Sequence, residues 1–327
     1  MSREWTVESL VASSQAYWTS SAIIAAVKLD IFSVLAEKPL PLAAMVEKTG
    51  LPERGLTMLV RTLLALNLLR MTDAGIALTE FSREHLCRDG KGYVGHIIMH
   101  FSHLQECWAH LSEVIQGKAS NVKVKTDDER ESFLMGMVNM ADLRADNCVP
   151  ELPLSKRKKV LDLGGGPGGF SVQFCHQFPD VSVTLFDLPT TKPYAERYIA
   201  SHNLQSRIEF VAGDFLADQL PQGFDAAWLS QILHGQNSVD AAMLVKKAYD
   251  SLNPGGLLLI HEFIVNDDFK NCEFPALFGL NMLVNTVDGQ SYTESELTAM
   301  MVAAGITDIK RLNLDLPKGR GVLVGVK

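Results

Sequence analysis

Gly164-Gly165-Gly166-Pro167-Gly168-Gly169 lies between an apolar run, Val160-Leu161-Asp162-Leu163, and the amphipathic stretch Phe170 to Phe178. A second apolar run, Val181 to Phe186, ends on Asp187. Strand, glycine loop, helix, strand and acid in that order suit a nucleoside. Glycines let the backbone come close to a ligand, and the terminal acid is placed for ribose hydroxyls. The glycines at 164, 166 and 169 also satisfy the G-x-G-x-x-G spacing of dinucleotide sites. Two cofactors therefore compete, a nicotinamide dinucleotide and S-adenosylmethionine. Three features favour the second. Asp162 lies two residues before the first glycine, where a carboxylate can reach a cationic amino group but would repel a pyrophosphate. Arg207 to Val211 reads as a third strand delivering Asp214 and Phe215, an acid for an exocyclic amine beside a ring for an adenine face. Phe224 to Leu229 reads as a fourth strand, followed by a helix, the turn Asn253-Pro254-Gly255-Gly256 and a fifth strand, Leu257 to Ile260.

These residues need a scaffold. At 327 residues with 47% hydrophobic content, the chain can form two cores. Residues 1–112 read as a mostly helical module. Ser20 to Leu35 has apolar residues at helical spacing and is expected to pack fully. Leu42 to Thr49 and Glu53 to Leu66 read as helices about a Leu51-Pro52 turn. Leu68 to Met71 and Ile76 to Thr79 flank the hairpin tetrad Thr72-Asp73-Ala74-Gly75. Helix, turn, helix and hairpin make a winged helix. Tyr93 to Gln116 and Glu129 to Pro150 also have helical spacing, and residues 113–150 read as a linker. Residues 151–327 carry the cofactor motifs. After the fifth strand an irregular segment, 265–290, precedes a helix from Thr293 to Ala304. Two last runs, Asp308 to Leu316 and Gly321 to Val326, close the sheet.

Composition narrows the function. The net charge of -8 disfavours a nucleic-acid footprint. Residues 1–100 hold ten Lys plus Arg and ten Asp plus Glu, so the winged helix is neutral and reads as a dimerisation scaffold rather than a DNA reader. No run of about eighteen apolar residues spans a membrane, and no signal core opens the chain. Five scattered cysteines form no C-x-x-C pair, which fits a reducing cytoplasm. His96, His100 and His103 share a helix face, so metal binding is geometrically conceivable. No nearby carboxylate or cysteine completes a set, and pocket-lining or surface histidines are the other reading; no metal is assigned.

The order Leu161-Asp162-Leu163-Gly164-Gly165-Gly166, Phe186-Asp187-Leu188-Pro189, Gly213-Asp214-Phe215, His234 and Asn253-Pro254-Gly255-Gly256 resembles the class I methyltransferases. It is most similar to the small-molecule O-methyltransferases with an N-terminal winged-helix dimerisation domain. The resemblance implies an α/β fold: a Rossmann-like, seven-stranded class I methyltransferase domain preceded by a mostly helical winged-helix domain that forms a homodimer. It implies S-adenosyl-L-methionine as cofactor, held by Asp162, Gly164 and Gly166 at the methionine portion, Asp187 at the ribose, Asp214 and Phe215 at the adenine, and Ser230. It places residues 113–150 in the wall of a substrate chamber whose Met and aromatic residues suit a small, flat, hydroxylated acceptor. Methyl transfer to a hydroxyl needs a base for its proton. His234, following the fourth strand at the carboxyl edge of the sheet, occupies the family's catalytic position. Glu262, at the end of the fifth strand, matches the acid that orients it. Three positions depart from the family: Gly235 and Gln236 replace an acid and a tryptophan, and Ser291 replaces a further acid. They leave C- or N-methylation open, and a ligand-sensing winged-helix regulator is the competing class.

Overall fold

The computed structural model describes residues 4–118, 126–145 and 148–327. The chain divides into two compact units: Arg3–Gln105 with Thr126–Asn139, and Glu106–Lys125 with Met140–Lys327.

The first unit begins with α1 (Val7–Gln15), α2 (Tyr17–Lys28), α3 (Ile31–Val34), α4 (Leu42–Thr49) and α5 (Glu53–Ala65). The strands β1 (Leu69–Thr72) and β2 (Gly75–Leu78) follow, then α6 (Glu80–His85). On α5, Leu56, Val60 and Leu63 recur at helical spacing and meet Met45 of α4 and Ile31 and Phe32 of α3 in one core. The hairpin pairs Leu69 with Leu78 and Thr72 with Gly75, leaving Asp73 and Ala74 as its loop. The run Ser20 to Leu35 does not pack as one fully buried helix. Asp30 takes a left-handed conformation at φ 55 and separates α2 from α3, and within α2 only Ala26 and Val27 are buried. No residue of α1 is buried.

Two further helices straddle the division, α7 (Gly95–Trp108) and α9 (Asp127–Ala145), with the short α8 (Leu111–Ile115) between them. The stretches Tyr93 to Gln116 and Glu129 to Pro150 are thus helical in shorter pieces. Residues 119–125 and 146–147 of the linker lie outside the described residues.

The second unit is built on one seven-stranded sheet. Its strands are β3 (Lys159–Leu163), β4 (Ser182–Asp187), β5 (Ile208–Ala212), β6 (Phe224–Ser230), β7 (Leu252–Phe263), β8 (Thr307–Arg311) and β9 (Arg320–Val326). They lie in the order β5-β4-β3-β6-β7-β9-β8. The first five are parallel, and β9 runs antiparallel to β7 and β8. Connecting helices are α10 (Gly169–Gln177), α11 (Lys192–Ser201), α12 (Ser238–Ser251), α13 (Glu273–Asn285) and α14 (Glu294–Ala304). Alternation within the strands feeds two cores. Val160, Trp228 and Leu259 pack with Val172 and Phe174 of α10 on one face. Leu161, Leu163, Leu229 and Leu258 pack with Leu244 of α12 and Leu297 of α14 on the other. Helices on both faces explain why β3 reads as a nearly unbroken apolar run.

Two sequence expectations change here. The fifth strand runs back through the Asn253 to Gly256 turn to Leu252, with a register shift opposite Phe224 and Ala226. The segment 265–290, expected to be irregular, contains the thirteen-residue α13. Its sequence, EFPALFGLNMLVN, is apolar all round, so no helical stripe announces it. Pro275 is tolerated in its first turn, where backbone N–H groups lack helical partners in any case. Helix α14 needs no such rescue: Thr293 and Glu296 form a capping box, a device that adds about 1 kcal/mol.

Candidate active site

The carboxyl ends of β3, β4, β6 and β7 bring the chemistry-bearing residues of the second unit to one edge of the sheet, where open α/β folds bind ligands. The glycine loop leaves β3 here. Gly164, Gly166 and Gly168 adopt φ of 67, 59 and 92, a region that L side chains rarely enter. A Cβ on Gly164 would lie 2.8 Å from Cγ2 of Ile232 and 3.3 Å from Cε1 of Phe215. Gly165 has a different role: a Cβ there would lie 2.5 Å from the Asp162 carboxylate. Gly169, counted in the dinucleotide spacing, is simply the first residue of α10. The sequence reading therefore missed Gly168 as a conformational glycine and Gly165 as a packing one.

Asp162 lies beneath this loop, 1% exposed. Its Oδ2 accepts from the Ser171 hydroxyl at 2.6 Å, and its Oδ1 has no hydrogen-bond partner. Burial pushes its pKa from 3.8 up to about 7, partly countered by the Ser171 bond and reinforced by the charge of Asp187. Asp187 is held more completely. The Gly166 amide donates to Oδ2 at 2.8 Å, while the Leu188 amide and the Thr191 hydroxyl donate to Oδ1, each at 2.7 Å. A carboxylate has about four acceptor positions, so about one remains. Asp214 is exposed after β5, and its Oδ1 accepts from the Leu216 amide at 2.9 Å. The Phe215 ring reaches the Gly164 position. Ser230 ends β6 with its hydroxyl 2.9 Å from Nδ1 of His261. That imidazole is fully buried and stacks on Trp228 at 5.3 Å.

His234 and Glu262 form the most defined pair. His234 sits in a short 3-10 turn, Leu233–Gly235, just beyond β6. Glu262, on β7, is 1% exposed. Its Oε2 lies 2.7 Å from His234 Nδ1. Its Oε1 accepts from the backbone amides of Leu233 at 3.0 Å and His234 at 3.4 Å. One carboxylate thus fixes both the ring and the turn that carries it. A carboxylate on Nδ1 takes the N–H there, so Nε2 presents the lone pair.

Several supporting residues gave no sequence signal. Gln290 donates its amide to the His234 carbonyl at 2.8 Å, and the buried Tyr292 hydroxyl donates to the Gln236 carbonyl at 2.6 Å. A Cβ on Gly289 would fall 2.6 Å from the His234 carbonyl oxygen. The Phe278 ring, from α13, meets His234 edge-to-face at 4.8 Å and packs on Phe263 at 4.5 Å. The Ser291 hydroxyl donates to the Pro275 carbonyl at 2.9 Å. Nothing lies within 4 Å of a Cβ position on Gly235.

In the first unit, His96 packs on Tyr93 at 5.4 Å and His100 on Phe133 at 5.3 Å. Among the described residues no group of three or more His, Cys, Asp and Glu could hold a metal ion. Among them, too, no helix is long and apolar enough to cross a membrane.

Comparison with known proteins identifies the family. Residues 102–307 match the O-methyltransferase domain model, and residues 11–88 match the O-methyltransferase dimerisation domain model. The chain is 30% identical to a 3-hydroxy-5-methyl-1-naphthoate 3-O-methyltransferase of Streptomyces sahachiroi, over 95% of this chain and 92% of the relative. It is 29% identical to the tetracenomycin polyketide synthesis 8-O-methyl transferase of Streptomyces glaucescens, over 91% and 90%. Its fold matches that of human N-acetylserotonin methyltransferase, solved with S-adenosylmethionine, at a TM-score of 0.87 with 23% identity, covering 99% of this chain and 98% of the human one. The chain belongs to the S-adenosylmethionine-dependent small-molecule O-methyltransferases that carry an N-terminal dimerisation domain.

Proposed function

We propose that this protein methylates a hydroxyl of a small, largely apolar aromatic metabolite, with His234 as general base and Glu262 as the group that orients it. The observation that carries the reading is the 2.7 Å approach of Glu262 Oε2 to His234 Nδ1. The His234 side chain is 14% exposed and that of Glu262 only 2%. The acceptor's hydroxyl proton passes to His234 Nε2, and the neighbouring carboxylate stabilises the resulting imidazolium. Phe278, edge-on to His234, supplies an apolar surface next to the base.

The cofactor site passes a chemical test of fit. An S-adenosyl sulfonium offers a cationic amine, a ribose diol and an adenine. Asp162 has an unpaired buried oxygen beneath a loop in which three of the five glycines hold positive φ. Asp162, Gly164 and Gly166 hold the methionine portion, Asp187 the ribose, and Asp214 and Phe215 the adenine, with Ser230 alongside. Asp187 already accepts three hydrogen bonds. Engaging both ribose hydroxyls therefore requires one loop donor to give way. When bound, S-adenosylmethionine supplies the electrophilic methyl group. We assign residues 151–327 to this chemistry and residues 1–112 to homodimerisation. Trp5, Leu10, Val11, Tyr17 and Trp18 are all at least 50% exposed in the isolated chain, an apolar surface for a second copy.

The test is an acceptor screen with labelled methyl donor, run on hydroxylated bicyclic and polycyclic aromatics and on their amino analogues. Transfer to oxygen, lost in His234→Ala, supports the reading. Transfer confined to amines or carbon, or full activity in that variant, overturns it.

A further inference from the structure

We infer that Lys247, on α12, is a positioning residue for the adenine end of the cofactor site. The inference rests on assigning adenine to Asp214 and Phe215. The loop after β5 is otherwise held by the Gly213 amide, which donates to the Asp187 carbonyl at 2.9 Å, and by Phe215 and Leu220, which pack against the sheet core. Asp214 is exposed, and the loop's internal bonds are local ones. The Asp214 amide donates to Asp218 Oδ2 at 2.8 Å, the Asp218 amide to the Asp214 carbonyl at 2.7 Å, and the Leu216 amide to Asp214 Oδ1 at 2.9 Å.

Across this loop lies the Lys247 ammonium. It donates to the carbonyls of Phe215 at 2.6 Å, Leu216 at 3.2 Å and Asp218 at 2.6 Å. Three donors meet three main-chain acceptors of one five-residue loop, which accounts for the full hydrogen-bonding capacity of the ammonium. Bonds from an ionised donor are roughly twice as strong as neutral ones. The clamp also has a defined output. It fixes the backbone of Phe215, whose ring edge lies 3.3 Å from the Cβ position of Gly164, so the adenine platform and the glycine loop are set against each other. The lysine itself is anchored, because Leu244 and Ala248 on either side of it are fully buried in the sheet core.

A second lysine shows the same geometry in a different role. Lys327 Nζ donates to the carbonyls of Tyr249, Asp250 and Leu252. Those carbonyls belong to the end of α12, where a cation is favoured by the helix dipole. Lys327 caps a helix, whereas Lys247 ties the loop after β5 to α12 through three main-chain carbonyls.

The experiment is Lys247→Met, compared with the native chain in three readouts. Titration with S-adenosylhomocysteine and with 5′-methylthioadenosine should show both weakened about tenfold, since both carry adenine. The KM for S-adenosylmethionine should rise by the same factor while kcat stays within about twofold. Amide exchange at Gly213 to Asp218 should quicken without ligand present. Unchanged affinity, or a loss in kcat as large as that in kcat/KM, overturns the inference. Should the methionine variant not fold, Lys247→Arg replaces it: the retained charge predicts affinity within about threefold, and a tenfold loss overturns the clamp. Asp214→Ala and Phe215→Ala, titrated alongside, separate the two ideas. If neither weakens S-adenosylhomocysteine, the adenine assignment fails whatever Lys247 does.

Discussion

The two ends of the site hold their buried carboxylates in opposite ways. At the β6–β7 end, Glu262 accepts from the Leu233 amide, the His234 amide and the His234 ring. At the β3 end, Asp162 accepts a single hydroxyl, leaves one oxygen unpaired, and is pushed up to about 7 by burial. A saturated carboxylate fixes its neighbours before any ligand arrives. An unsaturated one stores a desolvation cost that a cation or a proton can relieve. The His234–Glu262 pair is therefore assembled in the chain by itself, while Asp162 is left with acceptor capacity to spare.

The comparison can be broken most severely at His234. His234→Ala should lower kcat by about 10²–10⁴, the usual contribution of a general base, with S-adenosylhomocysteine affinity unchanged within about twofold. Single-turnover methyl transfer and calorimetry check both halves, and a weakened affinity would merge the two ends into one unit. Next, Asp187→Ala should weaken S-adenosylhomocysteine about a hundredfold, since it removes charge-assisted bonds and frees the Gly166 amide. An unaltered dissociation constant would remove Asp187 from the ribose site. Glu262→Gln keeps an acceptor for the turn but not the charge. A 10- to 100-fold loss in kcat is expected, about the scale of outer-shell orienting groups, with the thermal midpoint little changed.

Asp162→Asn is read in stability rather than rate. Between about pH 4 and pH 7 the folded chain keeps a proton on Asp162 that the unfolded chain releases. Its contribution to stability is present below the unfolded value and is lost as pH rises through the folded one, by up to about 1.4 kcal/mol per pH unit. The ligand-free native chain should lose thermal midpoint over that window. The asparagine variant should lose less, and equal slopes for both would show that Asp162 titrates as an ordinary surface acid.

Much of this was legible in the residues themselves. Val160 to Leu163 is apolar because helices cover both faces of β3, and Asp187 ends β4 as the apolar run Val181 to Phe186 predicts. The hairpin about Asp73 and Ala74 follows from turn chemistry alone. Helix α13 was not legible, because its apolar residues run all round it and mark no single stripe, although only Pro275, Met282 and Val284 are buried. With it went Phe278, whose approach to His234 joins residues 44 positions apart in sequence. Nor did Ser20 to Leu35 reveal its break, since a left-handed Asp30 is a local backbone choice imposed by the packing of Ile31 and Phe32.

The sequence by itself determined the succession of strands along the cofactor unit, the glycine loop, the acids at strand ends and the histidine after β6. Each is a local consequence of residue type and short spacing. Tertiary structure alone decided which nitrogen of His234 meets Glu262, that Asp162 is buried with an oxygen unpaired, that Ser291 turns to Pro275, and that Lys247 reaches the loop after β5. Those facts depend on distances between strands and helices far apart in the chain, where burial and directional hydrogen bonds, rather than spacing, set the outcome.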